Sequence, residues 1–265
     1  MEQIVKGDPL YSLILHVLII LAISSAVLLL LASPKSTTLL LQHSVLAFDL
    51  YDNFEGSTYT IMDNQTSPNG KWFSKYNGFG ASGTVTITPL TPTDRNNTVF
   101  YEQPKTSTSP NQTHAALTLT TQTYEDVEMH LKVKTNKQLR QNSTPNPWEV
   151  AWVMWRYHDD WHHYYFIFKP TGVELGKKQN ENRAEEQIFL YTANEPKLKI
   201  DEWNSWYIKI SGNYIEIWLK MADESWQRVV NYHDNAPIVG PGNIGLYTED
   251  AYVLFDDVYI TSLSS

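Results

Sequence analysis

The chain contains no cysteine. That excludes disulfides, thiolate metal centres and cysteine nucleophiles. Positive charge is also scarce. Lys and Arg number 20 against 29 Asp and Glu, a formal net charge of −9. A broad cationic face for phosphates is missing, so a nucleic-acid partner is not expected. There is no phosphate-cradling glycine loop, no His-Glu-x-x-His pair and no Ser/His/Asp hydrolase signature. Beyond residue 32, no stretch sustains a helical period of apolar residues.

What is present falls into two unlike parts. Residues Leu10 to Ala32 form one uncharged apolar run. As a helix it would span roughly 34 Å, enough for the hydrocarbon core of a bilayer. A cleaved signal peptide is the rival reading, but such peptides have a shorter apolar core and a basic lead. Here the run is longer, and Lys6 stands beside Glu2 and Asp8. The expected organisation is a short tail (1–9), a transmembrane anchor (10–32), a linker (33–44) and one large domain (45–265). The nine-residue tail is too small for a domain, which makes the carboxyl-terminal part the functional side. Four Asn-x-Ser/Thr sequons lie in it, at Asn64, Asn96, Asn111 and Asn142. They point to glycosylation and to an external location, with the amino terminus cytoplasmic.

The large domain is acidic and rich in rings: of nine Trp, sixteen Tyr and nine Phe, all but Tyr11 lie in it. Its patterning is that of strands. In Tyr124–Thr135, Val127, Met129, Leu131 and Val133 share one face, while Asp126, Glu128, His130 and Lys132 share the other. Trp206, Ile208 and Ile210 precede the hairpin signal Gly212-Asn213, and Ile215, Ile217 and Leu219 follow it. Near the end, Phe255 and Val258 differ in parity; burying both needs an extra residue absorbed at Asp256-Asp257, as in a β-bulge. About a dozen such runs imply an all-β sandwich. The Thr-, Asn- and Pro-rich segments 89–113 and 136–147 read as polar loops.

These pieces resemble the jelly rolls of the concanavalin A-like lectin/glucanase superfamily. They are closest to the laminin-G-like branch that includes domains named 3-keto-disaccharide hydrolase. The residues that carry the resemblance run from Tyr51-Asp52-Asn53-Phe54-Glu55-Gly56 and Lys71-Trp72, through Trp155-Arg156-Tyr157 and Glu202-Trp203-Asn204-Ser205-Trp206. Pro241-Gly242-Asn243-Ile244-Gly245-Leu246 and Phe255-Asp256-Asp257-Val258 complete the series. It implies a jelly-roll β-sandwich and carbohydrate as the partner. It also implies a structural calcium between Glu55 and Asp257.

The densest ring cluster, Trp148 to Phe168, carries the site expectation. Sugar CH faces stack on indole, and neighbouring polar groups bond the hydroxyls. Alternation puts Trp152 and Arg156 on an outer face and Trp155 inside. Tyr165 follows on the next strand, and Glu128 and His130 are expected to reach the same face. The expected ligand-binding residues are therefore Trp152, Arg156, His130 and Tyr165. A glycoside hydrolase is the alternative, with Glu128 and Asp126 as its carboxylates, since such enzymes need a pair flanking the bond. A non-catalytic envelope protein, with a protein partner, is the third reading.

Overall fold

A computed structural model describes residues 49–78, 84–89, 98–180, 186–221 and 223–263. The expected anchor, the linker and Asn96 lie outside the described residues. Among the described residues no helix is long and apolar enough to cross a membrane.

The described chain is strands and their connections. In order they are β1 (Leu50–Asp52), β2 (Thr60–Ile61), β3 (Gln65–Thr66), β4 (Trp72–Asn77), β5 (Thr84–Pro89) and β6 (Thr98–Gln103). Next come β7 (Ala115–Thr120), β8 (Val127–Gln138), β9 (Ala151–Asp159), β10 (His162–Lys169), β11 (Gly172–Gln179) and β12 (Ile188–Ala193). The series ends with β13 (Asn204–Ser211), β14 (Tyr214–Lys220), β15 (Trp226–His233), β16 (Asn243–Glu249) and β17 (Ala251–Ser262). They build two antiparallel sheets. One runs β15-β14-β13-β8-β17-β6-β5-β2, with β1 also on β17; the other runs β12-β11-β10-β9-β16-β7-β4-β3. Neighbours in space are often far apart in sequence, as in a jelly-roll sandwich.

The alternating strands sit as their patterns require. Val127, Met129, Leu131 and Val133 are buried, as are Trp206, Ile208, Ile210, Ile215, Ile217 and Leu219. Gly212 takes a φ of 59° in the hairpin, where Ser211 pairs with Tyr214. Between the sheets, Trp155 stacks on Tyr164 at 5.6 Å, and Phe166 meets Trp206 of the opposite sheet edge-on at 5.2 Å. Phe54, Trp72 and Phe100 form a second ring cluster.

The expected irregularity at Asp256-Asp257 is present. Phe255 and Val258 are both buried, the register against β8 shifts between Asp256 and Tyr259, and Asp257 has a φ of 47°. The two polar segments differ from a plain loop reading. Residues 98–103 form β6, and the following chain is pinned by a buried guanidinium. Arg140 pairs with Glu149 at 2.5 Å and with Asp250 at 2.8 Å, and donates to the carbonyls of Ser109 and Gln112.

Candidate functional site

The site assembles on the outer face of the eight-stranded sheet. Trp155, Tyr164 and Phe166 point inward, so Trp152 and Tyr165 point outward. Trp152 lies 4.9 Å from the Tyr165 ring and 5.2 Å from Tyr247, and its indole N–H donates to the Trp148 carbonyl at 2.8 Å. Register explains the grouping. Glu174, Ile167, Trp152 and Tyr247 stand opposite one another on β11, β10, β9 and β16.

Gly176 faces Tyr165 across the β10–β11 pair, and a Cβ there would strike the tyrosine ring. The missing side chain lets Tyr165 lie over β11 and donate its hydroxyl to Glu174 at 3.2 Å. Lys169 also donates to Glu174. On the other side, the Tyr247 hydroxyl donates to Glu249 at 2.6 Å. Burial raises the Glu249 carboxyl above the usual carboxylate range, and the Tyr247 hydrogen bond opposes that shift. Trp152, Lys169, Glu174 and Glu249 line a depression of about 340 Å³ with Trp148, Thr171 and Phe189 at its rim. Trp148 is 43% exposed and Phe189 61%. Rings, two carboxylates and an ammonium thus meet in one hollow, the usual make-up of a small-molecule site.

The sequence-predicted residues divide among three places. Trp152 lines this depression, and Tyr165, fully buried, packs against its ring. Arg156 does not, which corrects the alternation reading. Its φ is 44°, so the strand bulges there and the side chain leaves the outer face. Gly242 makes room for this: a Cβ on it would lie 2.7 Å from the Arg156 Cα. The guanidinium bonds Asp126 at 3.0 Å and the carbonyls of Ile238 at 2.7 Å, Gly212 at 2.6 Å and Glu125 at 3.3 Å. It joins the two sheets at one end of the sandwich. Asp126 is thereby committed to Arg156 and to the Gly212 amide, which it accepts at 2.9 Å.

Glu128 and His130 lie on β8, in the other sheet, and face away from Trp152; the expected convergence on one face does not occur. Glu128 pairs with Lys209 at 2.8 Å. That hydrogen bond, above all, holds its carboxyl below the usual range. Burial lowers the His130 imidazole.

The expected calcium ligands also separate. Asp257 pairs with Lys132 at 2.6 Å, and Glu55 accepts from the Thr98 amide at 3.1 Å. Asp256 is pushed up to about 6 by burial first, with the Asp257 and Glu55 charges adding to it. Among the described residues no three metal-binding side chains form a group, and a calcium cofactor is not established. The sequons Asn64, Asn111 and Asn142 are exposed.

Sequence reasoning missed Glu174, Glu249, Lys169 and Phe189. Glu249 follows Tyr247 by two residues and so shares its outer face, a signal in the sequence, but only the sheet order brings it near Trp152.

No protein-family model and no curated protein matches the chain. Solved structures with a similar course include the carbohydrate-binding module CBM66 from Bacillus subtilis. It is 14% identical over 76% of this chain and 99% of that one, with a TM-score of 0.49. A protein of unknown function with a galectin-like fold, also from Bacillus subtilis, is 10% identical over 80% and 98%, with a TM-score of 0.47. The VIP36 exoplasmic/lumenal domain, in a form bound to Ca2+ and Man3GlcNAc, is 9% identical over 78% and 91%, with a TM-score of 0.46. These neighbours are sandwiches of the jelly-roll, concanavalin A-like kind.

Proposed function

We propose that the domain binds carbohydrate in the depression at Trp148 and Trp152. One observation carries the reading. Trp148, Trp152 and Phe189 line the same hollow as Glu174, Glu249 and Lys169. Indole offers a flat apolar surface to the CH face of a sugar, and the carboxylates and ammonium accept and donate to its hydroxyls. The 23-residue run Leu10–Ala32 would anchor the domain to a membrane. The exposed sequons support a location outside the cell.

A glycan array probed with the full-length protein tests the binding. Trp148→Ala and Phe189→Ala remove exposed side chains, so the fold should persist. Each is expected to weaken binding by about tenfold, as loss of one buried aromatic contact does at other sites. Unchanged binding in the double variant would sink this depression as the site.

A second reading, glycoside hydrolysis, is favoured by the unequal carboxylates. Glu249 is shifted toward its protonated form by burial, whereas Glu174 is ion-paired with Lys169. Such a split suits an acid and a base. Their strands stand three spacings apart, roughly 14 Å between backbones, which suits an inverting pair better than a retaining one. Incubation with oligosaccharides decides it. Turnover that Glu249→Gln reduces by more than about a hundredfold, with binding kept, is the expected signature of hydrolysis; intact oligosaccharides leave binding alone.

A further inference from the structure

The outer face of the nine-stranded sheet carries a feature that neither reading uses. Five rings stand in one row across five strands. Tyr51 of β1 is opposite Tyr259 of β17, which is opposite His130 of β8. His130 is opposite Tyr207 of β13, which is opposite Trp218 of β14. Three of the four adjacent pairs are in ring contact: Tyr51–Tyr259 at 4.4 Å, His130–Tyr207 at 4.5 Å and Tyr207–Trp218 at 4.9 Å. Their opposite neighbours along each strand are core residues, so the row projects from the sandwich.

Beside the row, His130, Lys132, Lys220, Trp226, Asp257 and Tyr259 line a shallow depression of about 170 Å³. Trp226 is 44% exposed, and its plane is turned 84° from that of His130. The depression is therefore bounded by rings in two orientations. The charges around the row neutralise one another. Lys132 pairs with Asp257 at 2.6 Å, Lys209 with Glu128 at 2.8 Å and Arg228 with Glu216 at 2.8 Å.

We propose that this face is a second carbohydrate-contact surface, which takes an extended, uncharged polysaccharide laid across the strands. Three features select that partner. The rings recur once per strand, about 4.8 Å apart, close to the advance of one pyranose along a polymer. The paired ions present no net field to attract a charged ligand, yet each can exchange hydrogen bonds with hydroxyls. The depression beside Trp226 gives one sugar of the chain a seat among rings. The surface lies in the other sheet from the Trp152 depression and does not depend on it.

The test is retention of the full-length protein on insoluble β-1,3-glucan, β-1,4-glucan and chitin, at low and high salt. Retention on at least one of these neutral polymers is expected, with little change at high salt. Trp226→Ala combined with Tyr207→Ala should weaken it by about tenfold or more without lowering the thermal midpoint, while Trp148→Ala should keep it. The proposal is overturned by absence of retention on all three polymers, by unchanged retention of the double variant, or by elution with salt. Retention lost in Trp148→Ala and kept in the double variant would assign all binding to the Trp152 depression. Self-association that Trp226→Ala abolishes, without polymer retention, would make the face a protein contact and overturn the proposal as well.

Discussion

Arg140→Ala is expected to destabilise the folded domain by about 3–5 kcal/mol, the largest loss from any single ion-pair residue considered. The guanidinium is buried with both its carboxylate partners, Glu149 and Asp250. Its remaining N–H groups satisfy the carbonyls of Ser109 and Gln112. Ser107 adds a hydrogen bond to Asp250 at 2.5 Å, and the Asn146 amide adds one to Glu149 at 2.7 Å. Truncation removes four polar contacts together. It leaves two carboxylates facing each other's charge without water, and that desolvated repulsion is the main cost. For a domain of this size the thermal midpoint should fall by roughly 10 °C. Urea denaturation of the wild type, Arg140→Ala and Lys134→Ala measures the effect. Lys134 pairs with an exposed Asp201, so its loss should stay within about 1 kcal/mol. Equal losses in the two variants would refute the buried network as a source of stability.

The same residue shows where the sequence stops being informative. Segment 136–147 is polar, and composition alone makes it a solvated loop. A buried arginine among Thr, Asn and Pro becomes visible only when Glu149 and Asp250, far apart in the chain, close around it. By contrast, β8, β13 and β14 were legible because each alternates strictly and has one face in the core. The bulge at Asp256-Asp257 was legible for a related reason: two large apolar residues of opposite parity cannot both be buried without it. The Arg156 bulge carried no such signal. Trp152 and Trp155 fall on the expected faces, but one left-handed residue later the parity no longer holds, and Arg156 turns to the sandwich end. The candidate site was half visible. Trp152 and the Tyr165 ring packed against it come from one hairpin, whereas Glu174 and Glu249 meet Trp152 through the order β11-β10-β9-β16, which no local pattern encodes.

Glu102→Gln should act in the opposite direction and stabilise the domain at neutral pH. Glu102 stands on β6, fully buried between the sheets, and neither carboxylate oxygen has a hydrogen-bond partner. Ser74 and Thr118, directly paired across β4 and β7, are buried and equally unpartnered through their hydroxyls, as is the Asn77 amide nitrogen. Burial raises the Glu102 carboxyl well above its ordinary value. The folded protein therefore retains a proton that the unfolded chain releases near pH 4.3. Below that pH both states are protonated and the group is neutral in its effect. As pH rises through and beyond it, the unfolded state gains from ionisation and the folded state does not. Stability then declines by about 1.4 kcal/mol per pH unit until the folded pKa is reached. Glutamine keeps the shape and cannot ionise, so it removes this slope. Wild type and variant should be of similar stability near pH 4, and the variant should lead by a margin that widens toward pH 7. Asp256, whose carboxyl is also raised, titrates in both proteins and cancels in the difference. Denaturation curves across this range check the expectation, and parallel pH profiles would show that Glu102 is already ionised in the fold, with a counter-charge or solvent between the sheets to hold it.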